Sequence, residues 1–197
     1  LTLENNLIQV QISSKGAQVK QVILKEYKSW NMEPLELFNE ESSKMDFIIE
    51  SNTGPLVLAD LYFTPSIESS QNEEGASIQT LTLTAGTESG QIIQTFILAE
   101  DSYQVQKSFA IDRYQGVLTG DAISLNWEDN LIAHETNLAE SRRQTLLNYY
   151  TTEGSYDNLG VGEDLEEESI TEPVKWIGFS QRFFTAAMIA DTGFQNV

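Results

Sequence analysis

The sequence predicts an all-β protein of antiparallel strands with few short helices, and three observations predict it. Apolar and polar residues alternate with a period of two in several separate runs. The runs are short, rich in Ile, Val, Thr, Phe and Tyr, and bounded by Gly, Asn, Asp or Ser. No apolar period of 3.6 is sustained over three turns. Strand and turn recur at the spacing of a sandwich or barrel.

The runs fall in order along the chain. LTLENNLIQVQIS (1–13) alternates around Leu7, Gln9 and Gln11 on one side and Ile8, Val10 and Ile12 on the other. SIQTLTLTA (77–85), QIIQTFIL (91–98), YQVQKSFAI (103–111) and AISLNW (122–127) repeat the pattern. Turns are expected at SSKGAQ (13–18), SNTGP (51–55), QNEEGA (71–76), GTESGQ (86–91) and YDNLGVG (156–162). The best helical candidate is ETNLAESRRQ (135–144), but its apolar face is thin and the reading leans against a helix. GEDLEEESITEP (162–173) reads as a solvated loop that ends at Pro173. No long linker divides the chain, so residues 1–197 are expected to form a single domain.

KWIGFSQRFFTAAMIA (175–190) is the most apolar passage. At a helical period Trp176, Phe179, Phe183 and Phe184 share one side, as in a docking helix. At a period of two, Trp176, Gly178 and Ser180 alternate with Ile177 and Phe179, and Thr185 to Ala190 form a second run. Gly178 is costly inside a helix and tolerable in a closely packed strand, while Pro173 favours extended entry. The expectation is two buried strands joined by a short turn or a single helical turn, forming part of the core.

Charge narrows the function classes. Eleven Lys and Arg against 30 Asp and Glu give a net charge of −19. Such a surface repels phosphate backbones and anionic headgroups, so nucleic acid and basic-patch membrane binding are not expected. The same charge favours a monomer. Forty per cent apolar residues argue against disorder, and with no cysteine there is neither a disulfide frame nor a thiolate metal site. Lys175, Gln181 and Arg182 break the longest apolar passage well short of the about 18 residues a spanning helix needs. No basic then apolar leader begins the chain, which predicts a soluble domain. The abrupt ends, LTLENN and FQNV, read as a piece cut from something longer.

Catalytic and metal chemistry finds little support. The single histidine, His134, reads as a surface residue beside Glu135 and cannot build a structural zinc site. DNLGVGEDLEEE (157–168) places Asp157, Gly162 and Glu168 at positions 1, 6 and 12 of a calcium loop. Leu159 and Val161 stand where oxygen ligands belong, and the reading rejects calcium. GFSQR (178–182) echoes a nucleophile elbow but has Arg182 in place of its second glycine. Asp60, Glu128 and Glu140 are carboxylates among many, with no acid or base role assignable. No catalytic residue, metal ligand or cofactor is expected, and no binding residue can be named.

Four segments together, in order and across nearly the whole chain, carry a resemblance. LENNLIQVQISSKGAQVKQVILKEYK (3–28) has strand, Gly turn and strand, then the spacing Leu24 to Tyr27. LYFTPS (61–66) pairs with TFILAEDSYQVQKSF (95–109). WED follows at Trp127, and KWIGFSQRFFTAAMIA closes the set. The chain thereby resembles the large periplasmic domain of YidC-type membrane protein insertases. The resemblance implies an antiparallel β-supersandwich similar to galactose mutarotases. It also implies a place on the periplasmic face of the inner membrane of a Gram-negative bacterium, beside a membrane-embedded core. The implied partners are that core, nascent membrane proteins and components of the Sec translocon. The family's groove arginine and lipid-facing helices are absent from this chain, so no insertion residue transfers.

The alternative reading is a carbohydrate-binding β-sandwich module, suggested by the related fold. Mutarotase chemistry in that fold uses paired histidines with a glutamate, which one histidine cannot supply, and fold does not transfer function. A generic adhesion or scaffold module is the third reading.

Overall fold

In this computed structural model the described residues are 1–87, 90–112, 118–130, 132–160 and 166–197. They form fifteen strands, one short α-helix and one 3₁₀ turn, so the all-β antiparallel prediction holds. The chain divides into two compact units, Leu1–Ile132 and Ala133–Val197.

The first unit begins with β1 (Thr2–Glu4), β2 (Ile8–Ile12), β3 (Val19–Lys28) and β4 (Pro34–Asn39), hydrogen-bonded in that order. The expected single run over 1–13 is two strands, because Asn5 turns the chain. Its Oδ1 accepts from the amides of Leu7 and Ile8, both at 2.8 Å. Its Nδ2 donates to the carbonyls of Ala99 at 2.8 Å and Ser102 at 2.7 Å, so the same side chain pins a distant turn. The glycine turn at 13–18 is where expected. Gly16 has φ +75°, and a Cβ there would lie 2.8 Å from Cα of Ala59 in the 3₁₀ turn Leu58–Asp60. Only glycine allows that approach.

β5 (Ser43–Ser51) and β6 (Gly54–Val57) pair with β11 (Leu118–Asp129) in the order β11-β5-β6. The sequence reading missed β4, β5 and β6, whose apolar residues do not alternate cleanly. The third sheet runs β10-β9-β8-β7, from β7 (Thr64–Gln71), β8 (Ser77–Thr87), β9 (Gly90–Ala99) and β10 (Val105–Asp112). Period two is cleanest here. On β9, Ile92, Gln94, Phe96 and Leu98 are buried while the residues between them are half-exposed. Leu81 and Leu83 of β8, each fully buried, face Phe96 and Gln94 across the ladder. Residues 88 and 89, the tip of the turn expected at 86–91, lie outside the described residues.

The second unit holds α1 (Leu138–Arg143) and one sheet, from β12 (Leu146–Thr151), β13 (Tyr156–Gly160), β14 (Val174–Ser180) and β15 (Thr185–Phe194), ordered β13-β12-β14-β15. The helix, which the reading leaned against, exists because it is capped rather than because it is amphipathic. Asn137 Oδ1 accepts from the Glu140 amide at 3.1 Å, Arg142 and Arg143 occupy the last turn, and no helical residue is buried. The turn expected over 156–162 is a correction. Tyr156–Gly160 is a strand paired with β12 over five residues, and the reversal falls earlier, at Gly154 with φ +99°. Cross-strand pairing outweighs the turn propensity of Asp157, Asn158 and Gly160. Of the acidic loop, residues 166–173 are irregular and 161–165 lie outside the described residues.

Candidate functional site

The β14–β15 hairpin is the segment with two readings, and it is extended. Its turn is closed by the Gln181 amide donating to the Phe184 carbonyl at 2.8 Å. His134, expected at the surface, is only 4% exposed. Its Nδ1 lies 3.1 Å from Gln181 Oε1, and its ring meets Phe184 edge-on with centroids 5.9 Å apart. The one histidine is therefore a prop beneath the turn.

Burial of the hairpin is partial, which corrects the expectation of two core strands. Val174 and Gly178 are buried, Trp176 and Phe184 are half-buried, and Phe183 and Ile189 are 61% and 59% exposed. β15 has a neighbour on one side only, so half of its surface stays open.

Register assembles one face of this sheet from all four strands. Tyr156 of β13, Tyr150 of β12, Trp176 of β14 and Ile189 of β15 form one cross-strand row. Asn158, Asn148, Gly178 and Ala187 form the next, and Gly160, Leu146, Ser180 and Thr185 the third. No charged side chain stands in these rows, on a chain whose net charge is −19. The first row is aromatic. The Tyr150 and Trp176 rings stack at 6.2 Å with planes 8° apart, and Tyr156 tilts against Trp176 at 6.3 Å. The second row is low, because a Cβ on Gly178 would come within 3.1 Å of Ala187 Cβ.

A polar thread fixes the strands from which this face is built. Tyr156 donates its hydroxyl to Asn148 Oδ1 at 2.6 Å, and Asn148 Nδ2 donates to Ser180 Oγ at 2.7 Å. Ser180, the residue at the serine position of the elbow-like GFSQR, thus accepts from a structural asparagine. On the opposite face the Tyr149 phenol is pushed up to about 12 by burial and by the Glu168 and Asp157 carboxylates beside it.

The other residues weighed from sequence are scattered. Asp157 lies on β13, where its Oδ1 accepts from the Asn158 amide at 2.8 Å, and Gly162 lies outside the described residues. Glu140 pairs with Arg143 on α1 at 3.5 Å, Glu128 is on β11, and Asp60 ends the 3₁₀ turn. Among the described residues no group of three or more His, Asp or Glu could hold a metal ion. In the first unit, Lys107 of β10 sits 4.1, 4.6 and 5.0 Å from the ring centres of Phe47, Phe96 and Phe109. Burial pulls its pKa down to about 7. Sequence reasoning missed Lys107, and it missed the uncharged face because neither β12 nor β13 was read as a strand.

The segments that carried the resemblance occupy defined places. Leu24 and Tyr27 lie on β3, TFILAEDSYQVQKSF is the β9–β10 hairpin, WED ends β11, and the closing segment is the β14–β15 hairpin. The YidC periplasmic domain family matches the chain over residues 1–197. The chain belongs to that family. Among its relatives, the membrane protein insertase YidC of Amoebophilus asiaticus is 31% identical, over 100% of this chain and 33% of that protein. Those of Parabacteroides distasonis and Phocaeicola vulgatus are 31% and 29% identical, over 98% and 99% of this chain and 30% of each protein. This YidC periplasmic domain therefore spans about a third of the length of the curated relatives it matches. Among its described residues no helix is long and apolar enough to cross a membrane.

Proposed function

We propose that this chain is the non-catalytic periplasmic domain of a membrane protein insertase in the inner membrane of a Gram-negative bacterium. It assists insertion and folding of inner-membrane proteins, alone or with the Sec translocon, by holding partners or nascent segments beside the membrane-embedded core. The observation that carries this reading is the family match across all 197 residues, with relatives named as insertases that extend well beyond the matched third. That match runs through both compact units, which supports treating them as one functional domain, and the net charge of −19 favours a monomer. A carbohydrate-binding role is not favoured, since the relatives covering the chain carry the insertase name.

Deleting residues 1–197 in frame from the full-length gene product tests the reading. Insertion of a reporter inner-membrane protein is then followed by protease accessibility in spheroplasts. Reduced insertion, restored by the intact chain, is expected. Undiminished insertion of every reporter, with normal growth, would overturn the proposed role.

A further inference from the structure

β15 is the outermost strand of its sheet and pairs only with β14. Which of its backbone groups point outward follows from the turn. Gln181 and Phe184 form a hydrogen-bonded pair, and in an antiparallel ladder bonded and non-bonded pairs alternate. Phe179–Ala186 and Ile177–Met188 are then bonded pairs. The N–H and C=O groups of Thr185, Ala187 and Ile189 face away from the sheet, and none has a hydrogen-bond partner among the described residues.

Exposed edges are ordinarily guarded by charge, proline or a bulge. The stretch Thr185–Ala190 has no charge and no proline, and the ladder is regular from Thr185 to Ile189, its irregularity falling between Ile189 and Phe194, opposite Val174 to Trp176. About 20 Å of flat edge is left open. Its two faces are both uncharged. Thr185, Ala187 and Ile189 are exposed and continue the uncharged face described above, while Ala186, Met188 and Ala190 lie half-buried on the other. A strand added here would complete the burial of Ala186 and Met188.

We infer that the free edge of β15 is a strand-docking seam for an extended segment of another polypeptide, one that is apolar on both of its faces. The backbone supplies the affinity by β-augmentation, and the uncharged rows select against charged side chains. A stretch of a membrane protein held extended before insertion has this chemistry, so the inference rests on the insertase reading. A second copy of the chain fits less well, because each copy brings a charge of −19.

The test uses the 197-residue protein and a capped decapeptide of Val, Ile, Ala and Thr. A triglutamate tail keeps the peptide soluble and is repelled by the domain's charge. A second peptide has the same side chains with alternate backbone amides N-methylated. Fluorescence anisotropy should give saturable binding of the first, weakened roughly tenfold or more in the second. Ala187→Pro removes an outward N–H without breaking a bond to β14, and it should weaken binding similarly while leaving the circular dichroism spectrum intact. If that variant unfolds, the N-methylated peptide alone decides. Equal binding of both peptides would overturn the inference, as would no binding at all. Self-association of the parent chain that Ala187→Pro abolishes would also overturn it, by making a second copy the occupant. Normal loss of insertion on deletion together with any of these failures would leave the insertase reading standing and remove only the seam.

Discussion

β7 and β15 are both outermost strands, and the sequence treats them in opposite ways. β7 is exposed at every position but carries Pro65 and Glu68 among Ser, Thr and Gln, with Ile67 its one apolar side chain. Pro65 withholds a donor and Glu68 would be desolvated by an incoming strand. β15 offers Ala186, Ala187, Met188, Ile189 and Ala190 in a row with no such guard before Asp191. The difference teaches that exposure alone does not mark a docking edge. What marks it is exposure without protection, beside a face from which charge is missing.

The strands behind the two edges differ as well, and the largest expected effect exploits this. Leu81 of β8, fully buried opposite Ile67, belongs to a closed core, and Leu81→Ala should cost about 2–5 kcal/mol in chemical denaturation. Trp176 of β14, half-buried opposite Ile189, is held mainly by its stack with Tyr150. Trp176→Ala should cost about 1–2 kcal/mol, below the about 3–5 of a fully buried aromatic. Equal costs would mean that the sheet ending in β15 is as closed as the sheet ending in β7.

Much of this contrast was legible in the sequence for one sheet and not for the other. β8 and β9 could be read directly because one face of each is buried and the other is not, and β10 because half-buried Val105, Lys107 and Phe109 alternate with exposed residues. β12 could not, since Asn148, Tyr149 and Thr151 are all buried while LLNYYT shows no alternation. Its burial comes from partners far along the chain, and local pattern does not encode them. The same absence hid the candidate site. Tyr150, Tyr156, Trp176 and Ile189 come from four strands, and only register makes them a row. Trp176 and its neighbours were singled out from sequence as buried core, because an edge position looks like any other apolar strand until the sheet order is known. His134 was misread for a related reason: beside Glu135 it looks solvated, yet Gln181 and Phe184 from the hairpin turn enclose it.

A smaller effect probes the far edge of the sheet that β7 closes, where Lys107 lies among three phenylalanine rings. Its pKa is about 7 in the fold and near the ordinary lysine value of about 10.4 when unfolded. Between those values the unfolded chain binds the proton that the folded chain has lost. Stability owed to this group should therefore rise as pH increases from about 7 to about 10, and be flat below. Lys107→Met should flatten that rise in melts recorded against pH. A variant that keeps the parent's slope would assign the dependence to other groups.

The smallest effect is a null result. With Asp157 already committed to the Asn158 amide on β13, EDTA should leave the melting temperature unchanged. A drop of several degrees would reopen residues 157–168 as a cation site.

Amide hydrogen exchange read residue by residue tests the contrast between the two edges most directly. In the free protein the amides of Thr185, Ala187 and Ile189 should exchange fast while those of Ala186 and Met188 are protected, following the register of β15 with β14. Adding the apolar decapeptide should slow the three outward amides of β15 and leave those of β7 unchanged. Protection that appears on β7, or on neither edge, would contradict the account.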